Sequence, residues 1–321
     1  MGKYEALWRI FEALDLEFVE RVLSRSYGRR SNVGRPNRSL LGMFKAELAK
    51  RLTHIESYWQ LYRLLEVDEA LRSLCLIKPW EKPYHPSTLL RFRRRIGPEG
   101  FEPLLKQMLK QLQRNRAVTA ETLVLDATFI KAYSRRDPTD THRGLSDIEA
   151  RLRKQGRNVV LGYGVHLAAD ANSEMPITTI VEPANVNEKK IASKLFHKAS
   201  DRKQGWRHVV ADTQYSSQAF REEVQHVGAE PVIPYPRNQM RHGKVLRVDK
   251  RFRSHGPWRL KRLYRRRSSI ERVTSRLTDH FGLEQLRTRG LRNVIIHTLL
   301  CLITMLTVAL SAHLLGYPDL M

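Results

Sequence analysis

The hydrophobic period of this chain changes near residue 121, and the change separates what can fold as helix from what can fold as sheet. Before residue 118, apolar residues recur at three- and four-residue steps. They run through Leu7, Ile10, Phe11, Leu14 and Phe18, then through Leu41, Phe44, Leu48 and Leu52, which is the spacing of amphipathic helices. Gly28 and the polar stretch to Asn37 separate the two. After it, residues 122–130 (TLVLDATFI) form a β-rich run, and residues 162–169 and 176–181 form two more around the turn-prone DANS at 170–173. The polar residues 134–158 between them read as a surface loop with a short helix around 148–154. A helix near 189–199 precedes a short strand at 208–211 that ends at Asp212. Ser216 then caps a helix whose inward residues are Phe220 and Val224, and Gly228 ends it. PVIP at 231–234 is a further strand, and helices run from about Arg259 onward. This order predicts an α/β fold, a mixed sheet flanked by helices and preceded by an all-α domain, with domains at 1–118 and 119–321.

Within the helical half, HPST at 85–88 opens a helix that Ser87 can cap and that Gly97-Pro98 stops. Leu89, Phe92 and Ile96 share one face, while Arg91, Arg94 and Arg95 project from the other. A helix-turn-helix recognition helix has this form, docking on its neighbours while presenting cations to a phosphate backbone. A merely solvated basic face gives the same pattern.

Charge points to the same class of partner. With 57 Lys and Arg against 33 Asp and Glu, the formal charge is +24, more than solubility requires and enough to gather a polyanion. Thirteen of these cations lie at 237–267 against one acid, Asp249, with Phe252, Trp258 and Tyr264 interspersed. Such a segment is suited to phosphate contact and base stacking. The two cysteines, Cys75 and Cys301, match neither a zinc spacing nor a disulfide framework, and the N-terminal residues lack the apolar run of an export signal. Both fit a reducing cytoplasm. Residues 294–316 contain no Asp, Glu, Lys or Arg and are long enough to cross a bilayer. Their polar residues His297, Thr304 and Ser311 recur every seventh position, the stripe of a helix buried in protein, so a membrane anchor is the weaker reading.

Three carboxylates carry the candidate chemistry. Asp126 lies inside the first strand and Asp212 at the end of a later one, so the two converge if those strands are neighbours; singly, each reads as well as a turn or capping residue. Tyr264, Arg267, Glu271 and Thr278 are spaced by three, four and seven residues, which on a continuous helix places them within about 60° of arc. Leu263, Ile270, Val273, Leu277 and Phe281 take the opposite face. A plain Arg267–Glu271 pair one turn apart is the bland alternative, worth about 0.2–0.5 kcal/mol. Three oxygen ligands suit Mg²⁺ or Mn²⁺, and two such ions about 4 Å apart can activate an attacking hydroxyl and stabilise the leaving oxygen. The twelve histidines form no H-x-x-H or HExxH arrangement, and no GxxxxGK loop signals a nucleotide.

Tyr264-x2-Arg267-x3-Glu271 resembles the Y-x2-R-x3-E-x6-K signature of insertion-sequence transposases with a DDE site on an RNase H-like fold. LDAT around Asp126 looks like that family's first-aspartate strand, ADTQYSS around Asp212 like its second, and SIERVTSRLTDHFGLEQLRTRG like its glutamate helix. The first half, through HPSTLLRFRRRIG, is similar to the helical domain of the insertion-sequence family-five group. The resemblance implies an enzyme that binds terminal inverted repeats as a homodimer or larger assembly, frees a 3′-hydroxyl and joins it to target DNA, near the nucleoid. Asp126, Asp212 and Glu271 would hold the metal, and Tyr264 and Arg267 would position double-stranded DNA. Where the signature has lysine this chain has Thr278, so that contact with transposon-end DNA is either lost or carried by Arg272 or Arg276. Two further readings follow: a decayed relic that binds DNA without cutting it, and a metal-dependent nuclease of the same fold that hydrolyses without joining.

Overall fold

The structure, a computed structural model, describes residues 4–28, 38–135, 144–235 and 258–316. Residues 237–257 of the basic segment, Phe252 and Asp249 included, lie outside these, as does the Trp258 side chain.

By its internal contacts the chain forms two compact units, and they do not divide it at a single point near residue 118. One comprises Met1–Arg114, Leu277–Thr288 and Arg292–Met321, the other Asn115–Arg276 and Arg289–Leu291. The reason lies in the last helix: apolar on all sides, it has no amphipathic face to lay on a sheet surface and is buried within the helical unit.

The helical unit is built from α1 (Glu5–Glu12), α2 (Leu16–Tyr27), α3 (Leu40–Leu52), α4 (Tyr58–Val67), α5 (Glu69–Leu74) and α6 (Pro86–Arg114). Short polar side chains start four of them. Asp15, Ser39, Ser57 and Asp68 each accept a hydrogen bond from an amide at the start of the helix that follows. The predicted stop at Gly97 is a break within α6, where the glycine adopts φ 64° and ψ 177° before a second helical stretch continues to Arg114. Leu89, Phe92 and Ile96 are buried, and Arg91, Arg94 and Arg95 are exposed.

The last helix, α11 (Leu291–Leu314), has the length and apolar composition to cross a membrane, and 89% of its most apolar stretch is buried inside the protein. His297, Thr304 and Ser311, the predicted polar stripe, are all buried. Thr304 returns its hydroxyl to the Leu300 carbonyl at 2.7 Å, and His297 Nε2 meets the Leu283 carbonyl at 3.0 Å. Burial, reinforced by Arg51 and Arg93, lowers the His297 pKa to about 3. Its folded pKa therefore lies below the unfolded value, so acid favours the unfolded chain. His297 costs nothing above about pH 6.5 and destabilises progressively as pH falls from there toward 3, by up to about 1.4 kcal/mol per pH unit. We expect Tm to fall between pH 7 and pH 5, and His297→Gln to show a smaller fall. An equal fall in both proteins would assign the acid sensitivity to other groups.

The second unit holds a six-stranded mixed sheet of β1 (Thr122–Lys131), β2 (Arg151–Gln155), β3 (Asn158–Asp170), β4 (Pro176–Pro183), β5 (His208–Ala211) and β6 (Glu230–Val232). The strand path is β2-β3-β1-β5-β6, with β4 also on β3. β1 runs antiparallel to β3 and parallel to β5, and β5 runs parallel to β6. The helices are α7 (Glu188–Ser200), α8 (Gln218–His226), α9 (Trp258–Arg265) and α10 (Ser268–Asp279), the last reaching the unit's edge at Arg276.

Four local expectations change. Ser87 does not cap α6: the helix begins at Pro86, and His85 Nδ1 accepts the Ser87 amide at 3.2 Å. The short helix expected around 148–154 is instead β2, which pairs with the start of β3 across a tight turn at Gly156 (φ 61°). Its residues are mostly exposed, Leu152 among them, so no buried face marks the strand in the sequence. Ser216 does not cap α8; Ser217 does, because a 3₁₀ turn at Thr213–Tyr215 is interposed. The continuous helix assumed for Tyr264 to Thr278 breaks at Arg266 and Arg267, between α9 and α10. At Gly162 a Cβ would come within 2.1 Å of the Ile130 carbonyl oxygen, so the close approach of β3 to β1 requires glycine.

Candidate active site

Register brings the two aspartates together. β1 and β5 are parallel neighbours, and the last pair in step is Leu125 with Ala211. Asp126 is the next residue on β1 and Asp212 the first after β5, so they occupy neighbouring positions on adjacent strands. Thr122, Leu123, Val124 and Leu125 precede Asp126 as buried residues, and His208 to Ala211 are the apolar lead-in to Asp212; burial on both sides is what a central parallel pair demands. Asp126 Oδ1 accepts the Ala127 amide at 2.9 Å. Asp212 Oδ1 accepts the Thr213 amide at 2.6 Å and its hydroxyl at 3.1 Å, which caps the 3₁₀ turn. The capping role is therefore real and leaves the outer carboxylate oxygens for other work.

Glu271 is brought to the pair by the break between α9 and α10. Arg266 fastens that break to the sheet, donating to Thr122 Oγ1 at 3.0 Å and to Asn172 Oδ1 at 2.8 Å. Its neighbour Arg267 then reaches over the sheet edge, with NH1 on Asp126 Oδ2 at 3.0 Å and NH2 on Glu271 Oε1. The predicted Arg267–Glu271 pair thus exists, but it is one arm of a bridge. Ile270 and Val273 are buried and hold α10 down, leaving Glu271 exposed. Tyr264, half-buried on α9, belongs to the same electrostatic neighbourhood: burial and then the charge of Asp212 raise its pKa.

Burial raises the Asp126 pKa; the Ala127 amide and Arg267 oppose this, while Asp212 and Glu271 add to it. Carboxylates that repel one another in a partly dry setting, with a cation drawn between them, form a site built for positive charge. Hard oxygen donors of this kind match Mg²⁺ or Mn²⁺ in chemistry. Among the described residues, however, no three His, Cys, Asp or Glu side chains converge closely enough to hold a metal, and Arg267 occupies the space between Asp126 and Glu271.

Beneath the aspartates lies a pair that the motifs did not single out. Tyr215, fully buried in the 3₁₀ turn after Asp212, has its hydroxyl 2.9 Å from Nδ1 of buried His166. Burial lowers the His166 pKa to about 4, so the ring is neutral near pH 7. Tyr215 is visible in ADTQYSS, but nothing in the spacing pairs it with a histidine 49 residues earlier. Arg272 and Arg276 are both ion-paired to Glu174, in the turn between β3 and β4: Arg272 Nε donates to Oε1 and Arg276 NH2 to Oε2, each at 2.6 Å. Thr278 is partly buried further along α10. Of the basic segment's described members, Arg259 is paired with Glu230 at 2.8 Å and Arg266 with Glu121 at 3.4 Å, so part of this charge serves the fold.

Comparison with known proteins adds the following. Residues 117–307, more than half of the chain, match the family model described as the transposase DDE domain, and residues 3–95 match the model described as a transposase domain (DUF772). No curated protein sequence matches. Among solved structures, the piggyBac transposase synaptic complex with hairpin DNA aligns over 96% of this chain and 73% of its own, at 8% identity and a TM-score of 0.45. The Mos1 transposase paired-end complex aligns over 83% and 86%, at 12% identity and a TM-score of 0.23.

Proposed function

We propose a chemistry for a chain that belongs to the transposase DDE-domain family and is a DNA transposase: Asp126, Asp212 and Glu271 form the centre at which it cuts and joins DNA. The observation that carries the assignment is the register of β1 and β5, which sets Asp126, inside β1, beside Asp212, just after β5, with Glu271 joined to Asp126 through Arg267.

The family is in general metal-dependent, and Asp126, Asp212 and Glu271 are the residues that would hold Mg²⁺ or Mn²⁺; when bound, such ions activate the attacking hydroxyl and stabilise the leaving oxygen in an in-line displacement. The chain's own residues do the rest. The sheet holds the two aspartates in fixed relation, with one oxygen of each committed to a backbone amide; the other oxygen of Asp126 is held by Arg267, which must release it for a metal to enter. Arg267 pairs with both Asp126 and Glu271 in the absence of substrate, and Arg267 and Tyr264 would meet the phosphodiester of double-stranded DNA. Arg91, Arg94 and Arg95, exposed along α6, supply cations for the DNA backbone. The element's terminal inverted repeats and target DNA are the substrates, and a homodimer or larger assembly joins the two ends.

The direct test incubates the purified protein with DNA carrying the ends that flank its own gene, with and without Mg²⁺ or Mn²⁺, and with precut ends for joining. Metal-dependent nicking at the ends followed by strand transfer is expected. Nicking without joining would make the protein a nuclease, and binding without nicking would make it a decayed relic, for which Thr278→Lys is the next variant. For the helical unit, Arg91→Ala is expected to weaken DNA binding about equally across sequences and to lower the log–log salt slope by about 1. An unchanged slope would remove Arg91 from the DNA surface.

A further inference from the structure

One cavity in the helical unit contains more buried positive charge than the anions around it balance. It offers about 80 Å³, room for several waters or one phosphoryl group, and its lining includes Lys50, Arg51, Tyr58, Arg93, Arg287 and His297. Arg51 and Arg93 are only 8% and 6% exposed. Arg51 NH1 donates to the Glu47 carbonyl at 2.8 Å and to its carboxylate at 3.0 Å. Arg93 NH1 donates to the Tyr58 hydroxyl at 2.7 Å, and that hydroxyl donates to the same Glu47 carboxylate at 2.8 Å. A single carboxylate thus serves two buried guanidiniums, the second only through a phenol.

Donors remain unsatisfied on two of the guanidiniums that line the cavity. Arg51 Nε and Arg93 NH2 are both shielded from solvent and have no hydrogen-bond partner among the described residues. Lys50 adds a third cation, its amine held down to about 8 by burial and by Arg51. Arg287 adds a fourth, paired at 3.1 Å with the exposed Glu56. His297 is neutral near pH 7 and offsets nothing. A buried charged donor left without an acceptor is costly, so these two guanidiniums call for an acceptor that the described residues do not supply.

We propose that this cavity is a phosphate-binding subsite, taking one tetrahedral phosphoryl group whose oxygens accept from the Arg51 and Arg93 guanidiniums and the Lys50 ammonium. Guanidinium donors favour phosphate oxygens because both partners are multidentate and charge-assisted. The phosphoryl group is either a phosphodiester of bound DNA or free inorganic phosphate. All the lining residues belong to the helical unit and none to the carboxylate cluster, so the proposal depends on no step of the cleavage chemistry.

The test uses the full chain as wild type, Lys50→Gln and Arg93→Gln, with Lys110→Gln as an exposed control outside the cavity. Two quantities are read: Tm against inorganic phosphate at constant ionic strength, and the affinity for duplex DNA against salt. A saturable rise in Tm for wild type and Lys110→Gln that both cavity variants lose, with an unchanged salt slope, identifies free phosphate as the ligand. A salt slope about 0.9 shallower in the cavity variants than in Lys110→Gln identifies a backbone phosphodiester. Should Arg93→Gln fail to fold, Lys50→Gln decides alone. If the cavity variants match Lys110→Gln in both quantities, the cavity binds no phosphate and the proposal is overturned.

Discussion

Asp126→Asn, Asp212→Asn and Glu271→Gln should each lower metal-dependent cleavage and strand transfer by about 10³-fold or more, a loss of about 4 kcal/mol of transition-state stabilisation. They should leave DNA affinity within a few-fold of wild type. The isosteric amides are chosen because two of these carboxylates also hold local structure. Asn retains the oxygen that accepts the Ala127 amide at position 126 and the Thr213 amide at position 212, so the β1 and β5 ends persist. Gln at 271 forfeits an ion pair with Arg267 whose acidic partner is 55% exposed and which contributes little to stability. An unchanged Tm with lost chemistry would therefore place the loss in catalysis. Any one variant that still cuts at the wild-type rate would remove that residue from the centre.

Glu47→Gln should destabilise the protein by about 3–5 kcal/mol, among the largest effects of any single substitution, although it removes one oxygen's worth of charge and no volume. Glu47 is fully buried and is the one carboxylate bonded to both Arg51 and the Tyr58 hydroxyl that Arg93 contacts. Neutralising it leaves two buried guanidiniums facing each other across a phenol. Because the penalty comes from the stranded cations, Glu47→Met combined with Arg51→Met should recover a substantial part of the lost stability, which denaturant unfolding would measure. A Glu47→Gln protein with wild-type Tm would mean that the guanidiniums are already balanced by another anion.

Much of the candidate site is legible in the linear order because it depends on short-range rules. TLVLDAT reads as a strand from its β-branched and apolar run, with Asp126 inside it, and HVVA reads as another that leads into Asp212; the structure gives strands at Thr122–Lys131 and His208–Ala211. Glu271 follows from its spacing to Tyr264 and Arg267, although the helix carrying that spacing is broken at Arg266 and Arg267. Helical periodicity survives a break of one or two residues when the flanking turns resume in similar phase, so Arg267 and Glu271 still meet although the helix is not continuous. The strand at Arg151–Gln155 was not legible: an exposed hairpin arm has no apolar face to impose a period of two, and alternating charge fits a helix as well. Nor was the pairing of Arg272 and Arg276 with Glu174, 98 and 102 residues away.

By itself, then, the sequence determined the family and most of the element types, and singled out three candidate carboxylates, since each is encoded in residues a few positions apart. Only the tertiary structure decided that β1 and β5 are parallel neighbours in a register that aligns Asp126 with Asp212, that Arg267 bridges Asp126 to Glu271, and that Tyr215 stands on His166. It alone brought Glu47, Arg51, Tyr58 and Arg93 around one under-neutralised cavity. Such arrangements join residues far apart in the chain, and they are selected by the burial of apolar surface around them, a non-directional force whose outcome no local spacing records.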